Sequence, residues 1–306
     1  MENSTATHHA TTDQPRLDLH QKITDKILRK LEMGVVPWHQ PWLSNPVGNF
    51  TMPVNIQSGN SYNGINVLLL WDAVEEKKYT SNKWGTYKQW KTKNQAVKKD
   101  EKGTMVIYYD TFEKEVEGEI KKIPFMKYST VFNMSQLVDY APEDSITGAI
   151  PKSLVEKIEE ADTFVRNTGA NIIHSGNKAF YRKKKDAINM PPPETFIDTP
   201  HASATEGYYS TLFHELTHWT GHESRIGRKF GKVYGDDEYA AEELIGELGA
   251  VFMCSELEIT KSNLDQSTAY LHHWIEKLKN NKHFITTAAG EASRATKYLF
   301  QLQPAI

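Results

Sequence analysis

Between residues 17 and 33, "LDLHQKITDKILRKLEM", apolar side chains fall at Leu19, Ile23, Ile27, Leu28 and Leu31. Steps of three and four put them on one face of an α-helix, and Gly34 and Pro37 stop it. "PWHQPW" follows, then, after a loop, "NSYNGINVLLLW". Residues 79–140 change character: short β-type runs such as "TMVIYYD" and "KYSTVFNM" alternate with turn residues and charged stretches. The acidic "FEKEVEGEIKK" within 110–128 reads as a variable loop. Residues 141–151, "APEDSITGAIP", have no periodicity and read as a linker.

The pattern after the linker is helical for most of its length. In "KSLVEKIEEADTFVRNTG" the residues Leu154, Ile158, Ala161 and Val165 share a face, and Gly169 lies at the end. "NIIHSG" and "KAFYRKKKDAINMPPP" predict two short strands, and helical spacing then covers 206–220, 237–256, about 263–280 and 284–302. A small sheet beside several helices gives an α+β class.

A chain of 306 residues, 39% hydrophobic and 25% charged, has the length for two domains and the composition of a soluble globular protein. No apolar run reaches the roughly 20 residues that cross a bilayer. The polar segment 1–16 lacks an apolar signal core and reads as a disordered tail. A single cysteine, Cys254, excludes an internal disulfide framework and fits a reducing cytoplasm. The net charge of −3 gives no global sign of nucleic-acid binding, so any basic surface must be local.

"YYSTLFHELTHWTGHESRIGR", residues 208–228, contains H-E-x-x-H: His214, Glu215 and His218. On a helix the two histidines are about 40° apart in azimuth and about 6 Å apart along the axis, so both imidazoles can converge on one zinc ion. Glu215 can then take a proton from an activated water. The third ligand is less direct. His222 would lie about 12 Å along the axis from His214, and where some zincins place a histidine three residues after the glycine this chain has Ser224.

"DDEYAAEELIGELGAVF" offers three carboxylates. A helical wheel puts Glu247 near the edge of the apolar arc, Glu243 on the same stripe one turn earlier, and Glu242 across the helix in solvent. We assign Glu243 to the metal and Glu247 to orienting a ligand histidine through its second ring nitrogen, an order that can be reversed. Two histidines and a glutamate leave the fourth position open, as in a hydrolytic zinc site. Tyr208, Tyr209, Tyr234 and Tyr239 are candidate oxyanion partners, and "DAINMPP" is a candidate edge strand for an extended peptide.

In the first half, nine lysines between Lys77 and Lys102 face only Asp100 and Glu101, with Trp84, Tyr87 and Trp90 interleaved. Cations for phosphates and rings for unpaired bases are the two components of single-strand binding. Lys88, Lys91, Lys98, Lys99 and Lys102 supply charge, and Trp38, Trp42 and Tyr62 extend the aromatic platform.

The segments "ITDKILRKLEMGVVPWHQPW", "NSYNGINVLLLW", "SNKWGTYKQW" and "VFNMSQL", followed by "YYSTLFHELTHWTGHESRIGR" and "EYAAEELIGELGAVF", resemble the ArdC-type antirestriction proteins of conjugative plasmids. That family shares its N-terminal region with TraC-type primases. The resemblance runs from about residue 17 to the C-terminus. It implies an N-terminal single-stranded-DNA-binding domain over 17–140, the linker 141–151, and a zincin-like metallopeptidase domain over 152–306.

By position, Trp38, Trp42, Asn55, Tyr62, Asn66, Trp84 and Gln89 match the first-half motifs, and His214, Glu215, His218 and the glutamates of 242–247 match the second. The implied cofactor is Zn2+, with Mn2+ or Co2+ as substitutes. The implied partners are single-stranded DNA and a protein substrate, such as a restriction component or a DNA-bound protein, in the cytoplasm of a bacterium carrying the plasmid. The alternatives are a non-proteolytic DNA-binding protein with a structural metal, and a cytosolic metalloprotease whose lysine-rich half docks proteins.

Overall fold

The computed structural model describes residues 18–38, 51–116, 119–141, 154–199, 203–229, 237–259 and 265–304. The predicted tail, nearly all of the linker, Trp42 and Tyr234 lie outside them.

Helix α1 (Leu19–Glu32) begins where the Asp18 carboxylate accepts a hydrogen bond from the Gln21 N–H, and it buries Leu19, Ile23, Ile27 and Leu31. Its lysines Lys26 and Lys30 both reach the buried Asp72 of α2 (Ile65–Lys77). Strands β1 (Val54–Asn55), β2 (Lys83–Gly85), β3 (Thr104–Val116) and β4 (Glu119–Asn133) form a sheet in the order β1-β2-β4-β3, and the short helix α3 (Tyr87–Thr92) follows β2. β3 and β4 pair antiparallel from Thr104↔Val131 to Val116↔Glu119. Residues 110–116 and 119–128, expected to belong to a variable loop, therefore form the outer part of a long hairpin. Asn66 bonds both the N–H and the C=O of Ile107 at 2.8 Å, so a side chain closes part of the outer edge of β3.

After α4 (Leu154–Thr168) and Gly169, in the left-handed region at φ 68, comes a second sheet. It has three strands, one more than expected: β5 (Asn171–His174), β6 (Phe180–Arg182) and β7 (Ala187–Met190), in the order β5-β7-β6. By sequence "DAINMPP" fits either an edge strand for a peptide or a core strand stopped by proline. The structure has the core strand, the central and fully buried β7 with which both neighbours pair, and the outer strand beside α5 is β6.

Helices α5 (Ala204–Thr220), α6 (Asp237–Glu256), α7 (Asp265–Asn280) and α8 (Phe284–Gln301) complete the fold. One apolar core joins α1, α2 and the first sheet to Leu244, Ile245, Leu248 and Phe252 of α6, and to Trp274 and Ile285. A second lies among α4, β7, α5 and Ala250, Met253 and Cys254 of α6. α6 thus faces both cores, and its glutamates sit between them.

Candidate metal centre and nucleic-acid surface

α5 starts with a capping box in which Ser203 and Glu206 satisfy each other's backbone N–H groups, which fixes its first turn. Two turns on, His214 and His218 are buried, and their Nε2 atoms face each other at 3.0 Å. Glu243 of α6 straddles the pair, 3.7 Å from His214 Nε2 and 3.8 Å from His218 Nε2. One donor atom from each of the three lies within 4.8 Å of the others. Two buried imidazole nitrogens aimed at one point beside a carboxylate is the donor set of a divalent cation.

Glycine makes this approach possible. A Cβ on Gly246 would lie 2.8 Å from His214 Cε1 and 2.9 Å from the Nε2 of both histidines, and one on Gly249 would lie 2.3 Å from Thr217 Oγ1. Two glycines three residues apart let the α6 backbone press against the histidine face of α5.

Glu247 is buried, with Oε1 3.9 Å from His214 Nδ1, on the expected side of that ring but beyond hydrogen-bond length. Glu242, expected in solvent, is buried. It accepts from His218 Nδ1 at 3.0 Å and from Arg228 Nε and Nη2 at 3.1 and 2.8 Å. The wheel failed because α6 is covered on more than one side, so the face opposite its apolar arc also meets protein. Buried Arg228 is itself tied to the Thr220 hydroxyl and the Thr217 carbonyl of α5. Sequence spacing gave no sign of it.

Burial alone would depress the His218 imidazole, but the Glu242 hydrogen bond and the charges of Glu243, Glu242 and Glu215 outweigh it and raise the group to about 9. Burial would raise Glu243, yet the two histidines and the Tyr239 hydroxyl hold it below its ordinary value. Burial pushes the Glu215 carboxyl up, partly offset by both histidines. A carboxylate shifted this way is a better proton acceptor near neutral pH.

The group opens on a cavity of about 340 Å³ lined by Phe180, Tyr181, Lys183, Glu215, Tyr239 and Tyr270 among others. Of the candidate oxyanion tyrosines, Tyr208 bonds His174 and Tyr209 bonds Asp162. Tyr239 alone of the described candidates lines the cavity, its hydroxyl 3.3 Å from that of Tyr270. His222 pairs with Ser224 in the turn after α5, away from the donor set.

Residues 17–132 match the family model of the N-terminal domain of anti-restriction factor ArdC, and residues 159–291 match that of a zincin-like metallopeptidase. The crystal structure of the metal-free antirestriction ArdC protein from plasmid R388 superposes with a TM-score of 0.76 at 41% identity, over 94% of this chain and 98% of that one. The chain belongs to the ArdC antirestriction family. The Mn(II)-bound structure of the R388 protein gives a TM-score of 0.75 at 39% identity over the same shares. Protein y4eC of Sinorhizobium fredii is 30% identical over 301 residues, 95% of this chain and 94% of that protein. The DNA primase TraC of Escherichia coli is 29% identical over 311 residues, but the match spans only 20% of the primase. No helix among the described residues is long and apolar enough to cross a membrane.

The family's N-terminal half places the expected DNA-binding residues unevenly. Trp38, Tyr62 and Trp84 are 2%, 8% and 0% exposed. The stacking expected of them does not fit this burial: an indole or phenol enclosed in the core has no face left for a base. Trp38 packs on Trp274, and Trp84 on Tyr79. Asn55 accepts from the backbone of Gln57 and Ser58, and Gln89 closes a capping box with Thr86, so both organise local backbone. They also meet each other at 3.4 Å.

Tyr87, Lys88, Lys91, Lys98, Lys99 and Lys102 are exposed as expected. The hairpin adds aromatics that the sequence reading missed. Tyr109 and Tyr128 are 61% and 58% exposed, and their register puts them on one face with Phe132, against which Tyr87 stands edge-on at 6.4 Å. The "TMVIYYD" and "KYSTVFNM" runs contained these tyrosines, but only the pairing of the two strands brings Tyr109 and Tyr128 to one face.

Proposed function

We propose that this family member is an antirestriction protein that binds single-stranded DNA and hydrolyses a peptide bond at a divalent-metal site, protecting incoming plasmid DNA from restriction. The observation that carries the reading is the facing pair of His214 and His218 Nε2 atoms under Glu243, with Glu215 beside them on an open cavity. His214, His218 and Glu243 would hold the ion: Zn2+, or Mn2+ as in the R388 relative. When bound, the ion supplies Lewis acidity to a carbonyl and to water.

The chain's own residues do the rest. Glu215 takes a proton from water and delivers it to the leaving amine. Glu242, locked by Arg228, holds the His218 tautomer through Nδ1, the role first given to Glu247 for a histidine. Tyr239 donates to the carbonyl oxygen as charge develops there. The edge strand β6, and not β7, receives the extended substrate.

For DNA, the exposed Tyr87, Tyr109 and Tyr128 with Lys88 and Lys91 form the stacking and phosphate surface, in place of the buried tryptophans.

The test is Glu215→Ala. The variant keeps metal and DNA binding but loses cleavage of a protein co-incubated with DNA, and unchanged cleavage removes Glu215 as the base. A conjugation assay weighs the non-proteolytic alternative: full protection by Glu215→Ala means that DNA occupancy alone suffices.

A further inference from the structure

The strand at the cavity carries a charge pattern that the metal site does not use. β6 has β7 as its only strand neighbour among the described residues. The Tyr181 backbone N–H is directed instead at the Glu215 carboxylate, so the outer edge of β6 faces the reacting centre. The chain through β6 and the turn after it carries Lys178, Arg182, Lys183, Lys184 and Lys185, of which Arg182 is held by Asn189 and the Phe180 ring. Lys183–Lys185 form an exposed single turn after the strand, and Lys183 lines the cavity. The neighbouring acid, Asp186, is already engaged by Arg225 through two hydrogen bonds of 2.9 and 2.5 Å. The cavity floor is the reverse in sign, with Glu215 and Glu243.

We propose that the β6 edge and its lysine rim select extended peptide segments with acidic side chains a few residues to one side of the bond held over Glu215. The inference rests on the peptidase reading and names its substrate class. A peptide added to β6 advances about 3.3 Å per residue, whereas Lys183–Lys185 form one tight turn that rises only about 2 Å per residue, so the three lysines cluster about two to three residues from the side chain opposite Tyr181. Backbone hydrogen bonds from the strand edge give affinity without sequence, and the rim supplies the selection. Phosphates would also meet these lysines, but a strand edge presents both N–H and C=O groups, which a peptide backbone can pair with, while a phosphodiester carries only acceptors. Arg225 holds the rim in place: it stacks on Trp219 at 3.8 Å, bonds the Tyr181 hydroxyl at 3.2 Å, and so ties the β6–β7 turn to the end of α5.

The test is fluorescence anisotropy with the full-length, Mn(II)-loaded Glu215→Ala protein and labelled peptides of about twelve residues. One peptide is rich in Asp and Glu, its counterpart carries Asn and Gln at the same positions, and a third carries Lys. The acidic peptide is expected to bind about tenfold more tightly than the amide peptide at about 50 mM salt, with the gap closing at about 300 mM. Lys184→Glu with Lys185→Glu should abolish that preference and turn it toward the lysine peptide, with metal content and oligonucleotide affinity unchanged. Equal binding of acidic and amide peptides, or no peptide binding, overturns the proposal. So does a parallel loss of oligonucleotide binding in the double variant, which would make the rim a phosphate contact. Because binding is read without cleavage, the acidic preference can fail while Glu215-dependent proteolysis stands, and the reverse.

Discussion

Gly246→Ala separates the metal site from the fold. A Cβ there would lie 2.8 Å from His214 Cε1, about 0.6 Å inside the 3.4 Å of ordinary contact. Its other neighbours, the two Nε2 atoms at 2.9 Å, are the proposed ligand atoms. Overpacking of this kind costs ~1–3 kcal/mol, while replacing a mid-helix glycine by alanine returns ~1 kcal/mol of helix propensity. The net loss of stability is therefore modest, ~0–2 kcal/mol. The donor geometry is less forgiving: metal–ligand distances tolerate about 0.2 Å, and one or both rings must move by about three times that.

We expect Gly246→Ala to remain folded by circular dichroism, with an unfolding midpoint close to wild type, and to lose at least about 100-fold in Zn2+ or Mn2+ affinity by titration calorimetry and elemental analysis. Gly290→Ala in α8 is the control. A Cβ there meets nothing within 4 Å, so it should add ~0.5–1 kcal/mol of stability and leave metal affinity alone. Wild-type metal affinity in Gly246→Ala would refute the claim that α6 glycine sets the spacing of the histidines.

Three further outcomes follow from the same contacts. Glu242→Ala leaves the Arg228 guanidinium buried without its carboxylate, which should cost ~3–5 kcal/mol in urea unfolding; Glu242→Gln should cost less stability but about tenfold in metal affinity, and a Glu242→Ala as stable as wild type contradicts the buried pairing. The Arg225 hydrogen bond, then that of Tyr181, hold Asp186 at about 2 against an ordinary 3.8. The pairing therefore stabilises the fold fully above about pH 4 and is lost as pH falls through about 2. Since the Asp186 side chain is 40% exposed, the contribution is discounted to ~1 kcal/mol; the difference between wild type and Asp186→Asn should shrink from that value toward zero on acidification, and a constant difference argues against it. Tyr128→Ala should weaken oligonucleotide binding by ~1–3 kcal/mol with unfolding unchanged, whereas Trp84→Ala, with its indole fully buried, should destabilise by ~3–5 kcal/mol. DNA affinity untouched in Tyr128→Ala would remove the hairpin face from the binding surface.

The residues whose mutual placement was legible in the sequence are those that depend on local geometry alone. His214, Glu215 and His218 needed only one helix, and one turn of α-helix is fixed by spacing. α1 and α5–α8 announced themselves by periodicity, and their observed ends lie within a few residues of the predicted ones. What spacing could not give is which side of a helix meets solvent when it is covered on more than one side. α6 carries Leu244, Ile245 and Phe252 into one core, Met253 and Cys254 into the other, and its glutamates against α5. A wheel with one apolar arc sends Glu242 to water for that reason, although Gly246 and Gly249, three residues apart, were the visible sign of a second close contact.

The same limit explains the tryptophans. An indole beside lysines is compatible with a stacking platform or with a core, and only the sheet face on which it falls decides. Trp84 lies opposite Asn133, on the face that carries Val106 and Val131 into the core, so its ring is enclosed. The capping pattern Thr86–Gln89 was legible as backbone chemistry from the start, and reading it that way removes Gln89 from the primary DNA contacts. What remains exposed is the tyrosine face of a hairpin in one half and a lysine rim beside the metal donors in the other. The two are joined by an apolar core that contains α6 itself. A ligand that shifted α1, α2 or the first sheet would therefore have to repack against the helix that holds Glu243, so a change in metal affinity on adding oligonucleotide is the expected sign of coupling between the two surfaces, and identical affinity with and without it refutes that coupling.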